Sequence, residues 1–361
     1  MDISSDEIIV AGMGLAGSLL SLRLAERGFK VKAFEPTPSS YVKPCGEQLT
    51  LEEVPLRLAK EYEAIKTVVN DVHILVDGKY VTTVDMRGGS KWAIIDKPKL
   101  IMELRRSAAE AGVAVLRERW HGERGALTID SRGPYSMKTS SEVLALRVIA
   151  KVKSWSPEEA ILDFRPSLGG LYWVFPFDGD GKFVNAGTGF VGVNDAASLQ
   201  GLVRSYLAEK LQGPFDVVEV KGAPVNVFTN PRLTNGDIIK VGEAAGLVMA
   251  WSGEGNRPAI VSAEALASSI ANSDYNFELA LKRYSTSISR IMESAIVSRL
   301  LTRASYRLSL AAPLLASMPR RAWELYVRQE LTLRDLISFL PEALKSATLL
   351  FNGKDDHKAF I

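Results

Sequence analysis

Apolar and polar positions alternate in two periods along this chain, and the period changes where elements change. Glu7-Ile8-Ile9-Val10-Ala11 is a short β-branched run, the signature of a parallel strand buried on both faces. From Ser18 to Arg27 the leucines 19, 20, 22 and 24 share a helical face, and Gly28 stands where a C-terminal cap belongs. Lys30 to Phe34 predicts a second strand, closed by Glu35. Val68 to Val84 reads as strands, with Val72–Val76 alternating and a turn at Asp77-Gly78. A helix is predicted from Lys97 to Gly112, opened by Asp96 as N-cap and Pro98 in the first turn. Val113–Leu116 and Ala126–Asp130 predict buried strands, residues 143–193 are strand-rich, and 195–212 read as an amphipathic helix. Ile238–Val241 returns to a buried strand, Arg257–Asn272 predicts a helix, and 276–350 is almost entirely helical in pattern.

The first strand runs directly into Gly12-Met13-Gly14-Leu15-Ala16-Gly17. Gly12 permits a tight turn, Gly14 lets backbone approach a pyrophosphate, and Gly17 lets helix and strand pack closely. The N–H groups at Leu15 and Ala16 open a helix whose positive end suits phosphate. Glu35, 18 residues after Gly17 and followed by Pro36, is placed to accept both hydroxyls of an adenosine ribose and disfavours a 2′-phosphate. Strand, glycines, helix, strand and acid together indicate a bound dinucleotide. A second match, Gly187 to Gly192, lacks a following strand with a terminal acid and reads as turn or bulge glycines in a sheet. The pattern thus predicts an α/β fold, with a nucleotide-binding domain assembled from three pieces and a sheet-rich domain inserted between them.

Five segments point in one direction. They are the glycine fingerprint with Glu35; Lys43-Pro44-Cys45-Gly46; Ile129-Asp130-Ser131-Arg132-Gly133-Pro134; Leu171-Tyr172-Trp173-Val174-Phe175-Pro176; and Gly242-Glu243-Ala244-Ala245-Gly246 with Ser252-Gly253-Glu254-Gly255-Asn256. Over roughly residues 5–275 the chain resembles the geranylgeranyl reductase family, within the larger class of flavoproteins with the p-hydroxybenzoate hydroxylase fold. The resemblance implies FAD as resident cofactor. It implies a Rossmann-type FAD-binding domain (1–60, 91–142 and 235–275), an inserted antiparallel-sheet substrate domain (61–90 and 143–234) and a helical C-terminal region (276–361). It places Gly12, Gly14, Leu15, Ala16, Gly17, Glu35, Pro36, Cys45, Gly46, Lys97, Gly242, Glu243, Gly253, Glu254, Gly255 and Asn256 at the cofactor. Leu171 stands where the family has Tyr, Glu243 where Asp normally reaches the ribityl chain, and Lys97 where the class often has Arg.

In an extended segment Leu171, Trp173 and Phe175 share one face, and Tyr172 and Val174 the other. The first face is expected to line an apolar slot for an isoprenoid chain, by the resemblance; on pattern alone it is sheet packing on core. Cys45, the one thiol, lies in a loop with Lys43 near enough to favour thiolate. Saturating an isolated alkene requires hydride on one carbon and a proton on the other, and Cys45, Tyr172 or water are the expected proton donors. The loop 252–256 is expected to aim helix N–H groups at the flavin ring. The leading expectation is a flavin reductase of isoprenoid double bonds, fed by NAD(P)H or a ferredoxin. The alternatives are an FAD monooxygenase of an aromatic or quinone ring and a non-catalytic flavoprotein carrying lipid or electrons.

Composition narrows this further. The chain has 361 residues, 47% hydrophobic and 24% charged, which excludes disorder and repeats and suits two intertwined domains. A net charge of +2 argues against nucleic acid as partner, although residues 276–361 carry thirteen Lys/Arg against eight Asp/Glu. One cysteine and three scattered histidines exclude a disulfide framework and suggest no metal site; a reducing cytoplasm and an acidic, signal-free start are expected. No apolar run reaches the roughly 18 residues needed to span a bilayer. The apolar stretches Leu300–Arg303 and Leu308–Met318, flanked by arginines, are expected either to touch the inner membrane face peripherally or to cap the substrate channel.

Overall fold

The computed structural model describes residues 6–38, 42–88, 91–136, 142–211, 213–307 and 311–351. In chain order the elements are β1 (Ile8–Ala11), α1 (Leu15–Ala25), β2 (Val31–Phe34), β3 (Gln48–Leu51), α2 (Glu53–Glu61), β4 (Ile65–Val69), β5 (Asp71–Val76), β6 (Lys79–Asp85), β7 (Lys91–Ile95) and α3 (Lys97–Glu110). There follow β8 (Ala114–Leu116), β9 (Leu127–Asp130), β10 (Glu142–Lys151), β11 (Glu159–Arg165), β12 (Gly170–Pro176), β13 (Phe183–Phe190), α4 (Ala196–Lys210), β14 (Asp216–Asn226), β15 (Thr234–Asn235) and β16 (Ile238–Lys240). Five helices, α5 (Asn256–Ala271), α6 (Phe277–Ser287), α7 (Ser289–Arg307), α8 (Ala311–Ala316) and α9 (Arg320–Val327), precede α10 (Leu333–Phe351).

The fold is α/β, with three sheets. A six-stranded sheet runs β15-β16-β9-β1-β2-β8, parallel except for the β15–β16 edge hairpin. Ile8, Ile9, Val10 and Ala11 are wholly buried, the strand being covered on both faces, and Ile8 and Val10 join the core packed by the helices α1, α3 and α5. β1 lies between β2 and β9, so the crevice for a ligand opens at its carboxyl end, where the strand order reverses. α1 packs on this sheet with α3 and α5. A seven-stranded sheet, β14-β10-β13-β12-β11-β5-β6, carries the inserted region; it is antiparallel apart from the parallel pair β5–β11. A three-stranded sheet, β3-β7-β4, sits between the two.

Several boundaries move. α1 begins at Leu15, three residues before the apolar face signals it, because the glycine turn itself supplies the first helical residues. Asp96 caps α3 as expected, its carboxylate accepting from Lys99 N–H at 2.9 Å. β8, expected to be buried, is the exposed edge of the parallel sheet, with Val115 open to solvent. The C-terminal helices divide the expected apolar element. Leu315 is buried, and Leu301, Ala312 and Met318 pack on a core shared with the seven-stranded sheet, so this stretch is a cap. Leu308 to Leu310 lie outside the described residues. No described helix is long and apolar enough to cross a membrane.

Candidate functional site

A cavity of about 590 Å³ runs from the carboxyl end of β1 to the face of β12. That volume suits a bound organic ligand. At the first end, Gly12 has φ +97°, and a Cβ there would lie 2.9 Å from the Ser131 carbonyl. A Cβ on Gly17 would stand 2.0 Å from the Gly12 carbonyl oxygen, so Gly17 serves helix–strand packing and does not line the cavity. Gly14 faces open space, with nothing within 4 Å of a Cβ. The first helical bond of the turn is Ser18 N–H to Gly14 carbonyl, and no side chain caps α1. The preceding N–H groups are the anion-seating set of a helix start.

Glu35 is mostly buried at the end of β2. Its carboxylate accepts from Met13 N–H (2.8 Å), Thr37 N–H (3.0 Å), the Thr37 hydroxyl (2.6 Å) and Arg105 (3.3 Å). These occupy about the four lone-pair positions a carboxylate has. A ribose diol could reach it only if the Thr37 hydroxyl turned away. Arg105 also donates to the Met13 carbonyl at 2.7 Å; burial pulls its pKa down and Glu35 opposes that pull. Nothing in the fingerprint announces Arg105. The signal was the row Lys97, Ile101, Arg105 on α3, spaced i, i+4, i+8, all three of which line the cavity.

Midway, the Cys45 loop meets the aromatic face of β12. Cys45 Sγ accepts from Glu47 N–H at 3.2 Å and lies 3.4 Å from Lys97 Nζ. Lys43, expected beside this thiol, instead pairs with Glu243 at 2.7 Å, and the neighbouring ammonium is that of Lys97. The loop is clamped from below. Buried Glu47 pairs with Arg147 (2.7 Å) and Lys66 (2.9 Å), and buried Asn185 donates to the Cys45 carbonyl at 3.0 Å. Asn185 Oδ1 accepts from Trp173 Nε1 at 3.1 Å, so one amide joins the thiol loop to the indole. A Cβ on Gly46 would fall 2.7 Å from Phe175. Gly187, inside β13, makes room for Trp173, whose ring would be 2.1 Å from a Cβ there. The second glycine motif is therefore sheet backbone beneath the indole.

Leu171, Trp173 and Phe175 line the cavity together, as the alternation of β12 requires. Tyr172 does not. It points to the other side of the sheet, stacks on Tyr206 of α4 at 4.2 Å between centroids, and is buried there, which raises its phenol pKa. The same alternation that exposes its neighbours to the cavity removes Tyr172 from it, and its assignment as a proton donor is corrected accordingly.

The far wall is the turn 242–245 and the loop 252–256. Gly242 (φ +60°) packs its Cα against Ala16 and does not line the cavity, whereas Glu243 does. Glu243 Oε1 accepts from Asn226 N–H at 3.0 Å. Gly253, Glu254, Gly255 and Asn256 all reach the cavity, but the N–H of the second residue of α5 is already engaged: Glu254 Oε1 accepts from Arg257 N–H at 3.0 Å. Glu254 Oε2 is buried with no hydrogen-bond partner among the described residues. Burial pushes this carboxyl up to about 7 against the pull of Arg257 and nearby N–H groups. The loop's own acid thus takes one N–H of the helix start that is expected to face the flavin ring. Tyr326, Val327 and Gln329, at the end of α9 and just beyond it, roof the cavity; no motif marked them.

No protein-family model matches the chain. A geranylgeranyl diphosphate reductase from Synechocystis is 37% identical over 107 residues, 29% of this chain. The match spans a quarter of that relative's length. Among solved structures, a geranylgeranyl bacteriochlorophyll reductase-like protein from Thermoplasma acidophilum superposes with TM-score 0.73, covering 96% of this chain and 99% of its own at 18% identity. A probable FAD-dependent monooxygenase from Pseudomonas aeruginosa gives 0.61 over 84% of this chain and 97% of its own, at 16% identity. These likenesses establish the fold: a Rossmann-type α/β domain with an inserted sheet, shared with reductase-like and monooxygenase proteins.

Proposed function

We propose that this chain is an FAD-dependent oxidoreductase that saturates carbon–carbon double bonds of an isoprenoid lipid, such as geranylgeranyl groups. One observation carries the reading: a single cavity joins the open glycine turn and Glu35 to the Leu171–Trp173–Phe175 wall, with the Cys45 thiol between them. The residues fit FAD. The uncapped start of α1 beneath Gly14 would take the pyrophosphate, Glu35 and Arg105 the adenosine ribose region, and Glu243 with Lys43 the polar chain between pyrophosphate and ring. FAD bound there would supply a hydride equivalent.

The chain's own residues do the rest. Leu171, Trp173 and Phe175 exclude water and offer π faces to electron-poor carbon. With Tyr172 on the wrong side of the sheet, Cys45 Sγ is the donor this reading assigns, kept in place by Glu47 N–H and adjacent to Lys97 Nζ. Asn185 holds the thiol loop and Trp173 in register.

The test is anaerobic turnover of a geranylgeranyl substrate by the reduced yellow protein, followed by mass spectrometry. Each saturated bond adds a pair of hydrogens. Cys45→Ala is expected to slow that step by roughly 10²–10⁴, the usual contribution of a positioned proton donor. The fold equally serves a monooxygenase. Conversion that requires oxygen, or a flavin that cycles with no alteration of the lipid, would replace the proposed reaction by the hydroxylase or the carrier reading respectively.

A further inference from the structure

Helix α10 is more apolar than its burial demands. One row of it packs inward: Leu336 and Phe339 against the core that the C-terminal cap shares with the seven-stranded sheet, and Ala343 fully buried. A second row, Leu333, Ile337, Leu340 and Leu344, repeats at spacings of four, three and four and is 43%, 62%, 40% and 50% exposed. Leu333 N–H donates to Glu293 Oε1 at 3.3 Å, which seats the start of α10 beside α7. On the Glu293 side of α7, Ile296 and Leu300 are also exposed, at 43% and 47%. Six aliphatic side chains thus form one surface. Exposed cations border it, Arg334 and Lys345 on the adjoining row of α10 and Arg290 and Arg303 on α7, and they outnumber the exposed Glu293 at the seam.

We propose that this α7–α10 surface is where the protein lies on an anionic lipid bilayer. Three features select that occupant. An aliphatic row edged by Arg and Lys is the pattern of a helix lying in the headgroup plane, where apolar insertion and cation–headgroup attraction act together. The row contains no aromatic or hydrogen-bonding anchor of the kind that concentrates energy in a protein interface. It also starts four residues after Gln329, which with Tyr326 and Val327 lines the cavity, so a short stretch of chain joins the surface to the site that would take an apolar substrate. That last argument rests on the proposed function; the surface itself does not. The site differs from the apolar stretch around Leu315, whose side chains are spent on the cap.

The full-length protein is mixed with vesicles of phosphatidylcholine alone and of phosphatidylcholine with phosphatidylglycerol, then sedimented. Wild type is expected to partition onto the anionic vesicles, more weakly at high salt. Ile337→Glu with Leu344→Glu is expected to lose at least tenfold in partitioning while keeping its melting temperature and flavin content. Arg334→Glu with Lys345→Glu is expected to lose about fivefold per cation on anionic vesicles, with little change on neutral ones. The proposal is overturned if wild type stays in the supernatant, if the glutamate variants bind as wild type does, or if light scattering finds a dimer that Ile337→Glu and Leu344→Glu dissociate. The readout involves no turnover. Vesicle binding without alkene reduction would leave the surface standing and remove the proposed reaction, and the converse would do the opposite.

Discussion

At the scale of single residues, Glu254 is the group most at odds with its surroundings. Its carboxyl is buried, one oxygen has no partner among the described residues, and it is pushed up to about 7 from an ordinary 4.5. The folded chain therefore holds this proton more tightly than the unfolded chain does. The contribution to stability is fully present below about pH 4.5 and is lost as pH rises through about 7, a span worth roughly 3 kcal/mol. Glu254→Gln should remove that loss, so the gap in urea midpoint between variant and wild type should move in the variant's favour from pH 5 to pH 8; parallel curves would show that the acid does not titrate there. Neither the burial nor the shift is visible in the sequence, where Glu254 looks like a loop residue among glycines. Gly12, Gly14 and Glu35 were legible because each is dictated by a local turn or strand end. Arg105 and Asn185 were not, because their roles consist of contacts across 92 and 140 residues of chain. For Arg105, removal of the guanidinium leaves Glu35 with one fewer donor and takes one of two side-chain donors from the Met13 carbonyl, the Ser18 hydroxyl remaining at 2.8 Å. Arg105→Ala is expected to weaken FAD binding on the order of tenfold, read by flavin fluorescence quenching.

At the scale of elements, alternation in β12 sorted the cavity wall correctly, and the same rule, applied to Tyr172, would have excluded it as a donor. The family motif had overridden the period of two. β13 shows the opposite case, in which a motif match is answered by geometry: the first glycine of its Gly-x-Gly-x-x-Gly pattern, Gly187, is where β13 passes under Trp173. Gly187→Ala therefore forces a methyl into the indole. Relief requires Trp173 to leave its hydrogen bond with Asn185 and β13 to shift against β10, whose Leu146 carbonyl would lie 2.4 Å from the same Cβ. An overpacking cost of about 1–3 kcal/mol in a thermal or urea melt is expected, with a changed tryptophan emission. Gly189→Ala is the milder change, since its Cβ would meet the Val143 side chain at 3.0 Å and the Leu144 carbonyl at 3.3 Å, and it should cost less. β3, β7 and β14 were illegible for a different reason. They are short or edge strands whose pairing partners are distant in sequence, and only the closed sheets give them a register.

At the scale of the molecule, the question is whether the helices after residue 276 form a separate body. Sequence pattern sets them apart, because the helical period replaces the strand period there. Packing does not. Phe164 of β11 and Trp251 of the cofactor-side loop stack with Trp323 and Tyr326 of α9, at centroid separations of 4.7–5.8 Å around Phe164 and Trp251. Arg299 of α7, fully buried, donates to the Gly246 carbonyl beside the 242–245 turn and to its own helix at Ala295, and burial pulls it down to about 10. A cation so placed, with carbonyls as acceptors and no carboxylate against it among the described residues, ties the cap to the turn that closes the parallel sheet. The cap thus has no core of its own to fall back on: its aromatic residues complete the core of the inserted sheet. Trp323→Ala should then cost about 3–5 kcal/mol, the range for a buried aromatic truncated to a methyl. Because Tyr326 both stacks on Trp323 and roofs the cavity, bound flavin should be released in the same transition in which helical circular dichroism is lost, in the variant as in wild type. A scan in which flavin release and the main loss of structure separate, with Trp323→Ala shifting one transition alone, would make the cap an independent domain and sever the packing link argued between its helices and the site.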